Sequence, residues 1–297
     1  MSYDLFFVAP SGPDPPAPEA IREHFGHRPW FKVSDDQAVY LNDDTGVYFS
    51  FDVLRSEEVV EEVPAPAAPW AMLSLDFLRS GIFALEACEE IRALLEQFGG
   101  AVYDPSAAAP PAEFSDERFL TSWQQGNAAG VRLRYPHDPG EGDARSEDQE
   151  PLPPVVDLQT RGELWKWNYL RQSLQNEEGG DIFVPKISLF SQGGRVLAGV
   201  VWTDAMPILM PQIDGVVMLR QETAPRKLLR RKMDRSFLAF SAMAHLFADK
   251  PSMDSPSRLH LPEQLEEARR FFEAWKSPGT SAQPLDPDAV LDAELFG

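Results

Sequence analysis

Six basic residues fall within ten positions, Arg226, Lys227, Arg230, Arg231, Lys232 and Arg235, in a chain whose 47 Asp and Glu outnumber its 27 Lys and Arg to leave a formal charge of −20. Arginine offers planar, bidentate contact to carboxylate or phosphate. Three uses are open for the run: neutralising the protein's own acidic surface, holding an anionic ligand, or docking a protein. Leu228, Leu229 and Met233 interrupt it, which predicts an apolar side turned to a sheet and arginines projecting outward. Two acidic groups stand against it. Asp43 and Asp44 follow Asn42, and Glu57, Glu58, Glu61 and Glu62 sit in a Pro-rich stretch. Asn42-Asp43-Asp44-Thr45-Gly46 could offer oxygens to a divalent ion, but no twelve-residue calcium-loop pattern surrounds it, and tight reversals use the same residue types.

His24 and His27 are three apart and could present two imidazoles to a metal. No third ligand accompanies them, and Gly26 interrupts a helix between them. The single cysteine, Cys88, falls on the apolar stripe of a predicted helix, where a small packed residue is expected rather than a reactive thiolate. No serine stands in a Gly-x-Ser-x-Gly elbow and no Gly-rich phosphate loop follows a strand. No catalytic residue, metal or cofactor is therefore assigned.

The charge excludes some partners and favours others. A chain this acidic is repelled by the phosphate backbone, so direct nucleic-acid binding is not expected. A basic protein partner is expected instead, with the excess charge acting mainly on the rate of encounter. One cysteine rules out an intramolecular disulfide and fits a reducing compartment. The opening MSYDLFFVAP has no basic start and only a short apolar run, and no apolar stretch approaches the roughly 20 residues that span a bilayer. A cytoplasmic protein with no membrane partner is the expectation.

Periodicity supplies the elements that would carry these residues. Tyr3 to Val8, Trp30 to Val33, Ala38 to Leu41, Gly46 to Val53 and Trp70 to Phe77 read as strands, with a hairpin turning at Asn42 to Gly46. In the fourth of these, Val47, Phe49 and Phe51 form one apolar face. Short helices are expected at Glu19 to Phe25 and Asp116 to Gln125. A longer one runs through Ile82, Leu85, Cys88, Ile91, Leu95 and Phe98 and stops at Gly99-Gly100. Farther on, Leu158 to Gln175 reads as a helix buried along Leu164, Trp167, Leu170 or Arg171, and Leu174. A hairpin is expected around Gln192-Gly193-Gly194, a strand at Ile213 to Arg220, and helices at Phe237 to Phe247 and Pro262 to Trp275. The predicted class is α+β, with two antiparallel or mixed sheets and helices packed on them. Residues 1–135 form one region, 136–156 an acidic Pro-rich linker, and 157–297 a second region, with a short amphipathic tail at Asp286 to Leu295.

The opening Met-Ser-Tyr-Asp-Leu-Phe-Phe, the turn Asn42 to Phe51, Asp181-Ile182-Phe183-Val184-Pro185 and Val201-Trp202-Thr203-Asp204-Ala205 resemble an uncharacterised group of bacterial proteins of high-GC type. In type, an acidic α+β protein without an active-site motif is also similar to the immunity proteins of bacterial polymorphic toxin systems. That likeness implies a protein that covers a basic toxin and transfers no site; from their charge, Asp43, Asp44, Glu57, Glu58, Glu61 and Glu62 are expected to contact the partner. The alternatives are an enzyme holding an anionic substrate with carboxylates and the Arg226–Arg235 run between the two regions, or a subunit of a larger assembly.

Overall fold

The computed structural model describes residues 1–9, 14–55, 63, 68–107, 109–136, 151–224, 226–227, 230–231, 233–276 and 282–296. Glu57, Glu58, Glu61, Glu62, Lys232 and positions 137–150 of the acidic stretch lie outside the described residues. The class is α+β with several sheets. Two compact units emerge: Met1–Leu158 together with Asp288–Gly297, and Gln159–Pro287. No described helix is long and apolar enough to cross a membrane.

In the first unit, strands β1 (Ser2–Val8), β2 (Phe31–Val33), β3 (Gln37–Asn42), β4 (Val47–Val53), β5 (Pro69–Asp76) and β6 (Ala101–Tyr103) form one antiparallel sheet in the order β2-β3-β4-β5-β1-β6. Alternation dictates its faces. Val47, Phe49, Phe51 and Val53 of β4 are buried while Tyr48, Ser50 and Asp52 are half-exposed, as the sequence pattern predicts. Strand β1 reads as a continuous apolar run because both its faces are covered: Phe6 and Val8 pack on Val63 at the side opposite Tyr3, Leu5 and Phe7. An aromatic cluster fills the main core, with Phe51 between Phe7 and Phe25 and the Tyr40 and Phe49 rings stacked 4.4 Å apart.

Helices α1 (Pro18–Gly26), α2 (Ile82–Phe98) and α3 (Asp116–Arg134) accompany this sheet. The extent of α2 matches its periodicity, but its buried stripe turns toward Ala84, Ala87, Ile91 and Leu94 and takes in Glu86 and Glu90. Helix α3 outruns the expected Asp116 to Gln125 by passing through Gly126 and Gly130. Gly126 lets it approach the residue after β5: a Cβ there would lie 2.6 Å from Phe77 Cζ, whereas one on Gly130 would make ordinary contact. Buried Asn127 then pins the chain after β5, its Oδ1 accepting from Leu78 N at 2.7 Å and its Nδ2 donating to the Arg79 carbonyl at 2.7 Å.

Strand β7 (Val155–Val156) pairs in parallel with Leu291–Asp292, so the end of the chain, read from sequence as part of the second region, groups with the first unit. Buried Asp292 fastens it there, accepting from Ser80 Oγ and Gly81 N at 2.6 Å each.

The second unit has a mixed sheet of β8 (Ile187–Gln192), β9 (Arg195–Thr203), β11 (Gly215–Arg220), β14 (Asp234–Ala239) and β16 (Gln283–Pro284), in the order β14-β11-β9-β8-β16 with β9 and β11 parallel. The connection between β9 and β11 includes β10 (Ile208–Met210), paired with β15 (Ser257–Leu259). Hairpin β8-β9 turns at Gly193-Gly194, as expected. Helix α4 (Leu158–Glu178) buries Leu164, Trp167 and Asn168, and leaves Leu170 exposed. Asn168 is its fastening, bonding both the N–H and the C=O of Ile187 at 2.8 Å. Helix α5 (Pro262–Ala274) buries Ala268 and Phe272. The helix expected at Phe237 to Phe247 is absent: Ser236, Phe237 and Leu238 lie buried in β14, and two short 3₁₀ turns follow. Pairing with β11 overrides the Ala-rich local preference.

Candidate functional site

The Asp43-Asp44 turn is built on a buried support. Asn42, fully buried at the end of β3, accepts from Asp44 N at its Oδ1 (3.0 Å), donates from Nδ2 to Glu86 Oε2 (3.1 Å), and takes Gly46 N on its carbonyl (2.8 Å). Gly46 has φ 80°, a conformation that suits glycine. Glu86, 1% exposed, also accepts the Tyr40 hydroxyl at 2.6 Å. Burial, then the charge and hydrogen bond of Glu86, push the Tyr40 phenol far above its ordinary value, so it stays a donor. Four residues along α2, buried Glu90 receives a bidentate contact from Arg28. The result is a preorganised acidic tip, with Asp43 exposed and Asp44 partly so. Val39 and Leu41 of the same strand are exposed on the sheet face opposite Tyr40.

Around the basic run the backbone forms a small ladder, β12 (Arg226–Lys227) against β13 (Arg230–Arg231), with Arg226 opposite Arg231 and Lys227 opposite Arg230. The side chains of these four, and Leu228, Leu229 and Lys232 altogether, lie outside the described residues. Arg235 is exposed on β14, opposite Leu219. Met233 does not turn to a sheet as expected: it is 63% exposed, because it precedes the first paired residue of β14.

His24 and His27 line one shallow pocket beside Glu23 and Arg28, and each has its own contacts. His24 packs against Phe25 and Phe98, while His27 Nδ1 donates to the Glu23 carbonyl at 2.8 Å. Among the described residues, no three His, Cys, Asp or Glu side chains gather to hold a metal ion. Burial, then the Arg28 guanidinium, hold the His24 imidazole below its ordinary value, and its Nε2 is buried without a partner. The folded state therefore disfavours the imidazolium. Its stability is unaffected well above the ordinary histidine value of about 6.5 and falls as the pH drops below it. His24→Phe, which keeps the ring contacts, is expected to raise stability and to flatten its decline between about pH 7 and pH 5. Urea midpoints at both pH values check this, and an unchanged slope would count against it. Cys88 is buried, and burial pushes its thiol up to about 12, so it packs as an unreactive residue.

One cavity gathers polar groups that the sequence reading did not connect. It is a half-open cavity of about 730 Å³, lined by β1, β6, the loop after β6 and α3. Tyr3, Phe77, Phe114 and Phe119 give it aromatic walls, with ring centroids 5.6 Å apart for Tyr3 and Phe119 and 5.9 Å for Phe114 and Phe119. Asp104 is the hub. Its Oδ2 accepts from Tyr3 Oη and Ser122 Oγ, and its Oδ1 from Ser106 Oγ, at 2.6 Å each, with Ser106 N adding a fourth bond at 2.8 Å. Burial raises the Asp104 carboxyl, but these bonds outweigh it and hold the group below the usual carboxylate range. Burial, then the bond to Asp104, raise the Tyr3 phenol well above its own. The hub is thus a carboxylate held by neutral donors.

Asp104-Pro105-Ser106 is legible as a turn, since Asp caps the backbone two residues on. Nothing local announces that Tyr3, 101 residues away, meets it. No protein-family model, curated protein or solved structure matches the chain.

Proposed function

We propose that this chain is a cytoplasmic binding protein that engages a basic protein through its acidic surface, in the manner of an immunity protein covering a toxin. The observation that carries the reading is the Asp43-Asp44 tip, held by buried Asn42 and Glu86 next to exposed Val39 and Leu41. Preorganised charge lowers the ordering cost of association, and the apolar residues beside it supply area to bury. A net charge of −20 favours encounter with a basic surface. Asp104, Glu113 and Glu117 line the cavity with the single cation Arg118 among its described residues, which disfavours an anion there. The alternative enzyme reading places its anion at the Arg226–Arg235 run, most of whose side chains lie outside the described residues.

Affinity capture from the source cells at low and moderate salt names the partner, and association kinetics with that protein test the reading. The double variant Asp43→Lys/Asp44→Lys is expected to slow association by about tenfold at low salt and to weaken its salt dependence, with little change in stability. An association rate equal to that of the native chain at every salt concentration would overturn the role of the tip.

A further inference from the structure

The cavity around Asp104 is chemically lopsided. Three carboxylates line it against one guanidinium, and Arg118 Nη2 is already directed at the Glu113 carbonyl. Among the described residues no cation contacts Asp104, and the four bonds it accepts from them come from neutral groups. Both serine hydroxyls lie within donating distance of this carboxylate. Ser106 Oγ and Ser122 Oγ are also 3.2 Å apart, where either can donate to the other, and their oxygens keep lone pairs for a donor from the cavity. Ser106 is exposed and Ser122 is half-exposed, so a donor can reach both from the cavity.

We propose that this cavity binds an organic cation with an apolar stem, a primary ammonium being the group that fits. Its N–H groups supply donors to Ser106 Oγ and Ser122 Oγ, its charge compensates Asp104, and its apolar stem lies along the aromatic wall of Phe77, Phe114 and Phe119. A neutral alcohol has one proton to give and no charge. A carboxylate has neither a proton nor the right sign. The inference is independent of the acidic tip on β3 and β4, none of whose residues line the cavity.

Calorimetric titration with hexylammonium, 1-hexanol and hexanoate tests it. Hexylammonium is expected to bind the native chain roughly tenfold or more tightly than 1-hexanol, with hexanoate weakest. Asp104→Asn should remove that preference, and Asp43→Lys/Asp44→Lys should leave it intact. Nα-acetyl-lysine amide, run in parallel, separates two carriers of the same chemistry. Binding comparable to hexylammonium would assign the site to a lysine side chain from a protein, and binding of hexylammonium alone to a free amine. Should Asp104→Asn fail to fold, nuclear Overhauser contacts on the native chain decide the matter. Contacts from the hexylammonium methylenes to the Phe77 and Phe119 rings support the site; contacts elsewhere, no binding, or equal binding of amine and alcohol overturn it.

Discussion

Arg220→Met is expected to cost the fold about 3 kcal/mol or more. Arg220 ends β11 and is 2% exposed. Its Nη1 donates to the Phe272 and Trp275 carbonyls at 2.9 Å each, and its Nη2 pairs with Asp234 at the start of β14. One guanidinium thus satisfies the carbonyls at the end of α5, where no basic residue of the helix itself is placed to do so. Methionine fills similar space and leaves two carbonyls without donors. Asp234 is 35% exposed and can turn partly to water, so most of the cost comes from the carbonyls. Denaturant unfolding measures the loss, and amide exchange should show α5 opening first. A variant within about 1 kcal/mol of the native chain would show that water replaces the guanidinium at no cost.

The second large effect is expected from Glu86→Ala, which would lower stability by about 2–4 kcal/mol and loosen the Asp43-Asp44 turn. The substitution strands the Tyr40 hydroxyl and the Asn42 amide in a site where both residues are fully buried. Asn42 holds the turn through Asp44 N, so its loss of a partner reaches the surface. Glu86→Gln retains an acceptor of the same shape and should recover part of both effects. Unfolding midpoints together with exchange rates of the Asp44 and Gly46 amides check this. Native-like protection of those amides in Glu86→Ala would show that the turn stands without its buried support. If the turn is the contact site proposed above, the same variant should also slow partner association without altering any surface charge.

These two networks mark where sequence reading stops. Glu86 and Glu90 lie among the apolar residues of α2, and a periodicity argument assigns carboxylates to the solvent side; their partners Asn42, Tyr40 and Arg28 are 44, 46 and 62 positions away. Arg220 likewise reads as the polar end of a strand, although its acceptors lie on α5, 52 and 55 positions away. The full length of α3 was hidden by Gly126 and Gly130, which locally suggest a break, although in the fold Gly126 allows the helix to approach Phe77. At Phe237 to Phe247 a helical composition lost to ladder pairing with β11.

By itself the sequence determined the α+β class, most strand and helix positions, the two hairpin turns at Asn42 to Gly46 and Gly193-Gly194, and the net negative charge. These follow from local preference, from the period of apolar residues and from composition, each readable within a short window. Tertiary structure alone decided that the Asp43-Asp44 tip rests on buried Asn42 and Glu86, that the end of the chain groups with its beginning, and that Tyr3, Asp104, Ser106 and Ser122 share one cavity wall. Each depends on polar groups brought together from distant positions. Burying them unpaired is costly, so the fold selects these pairings, while no local pattern records which partner will be found.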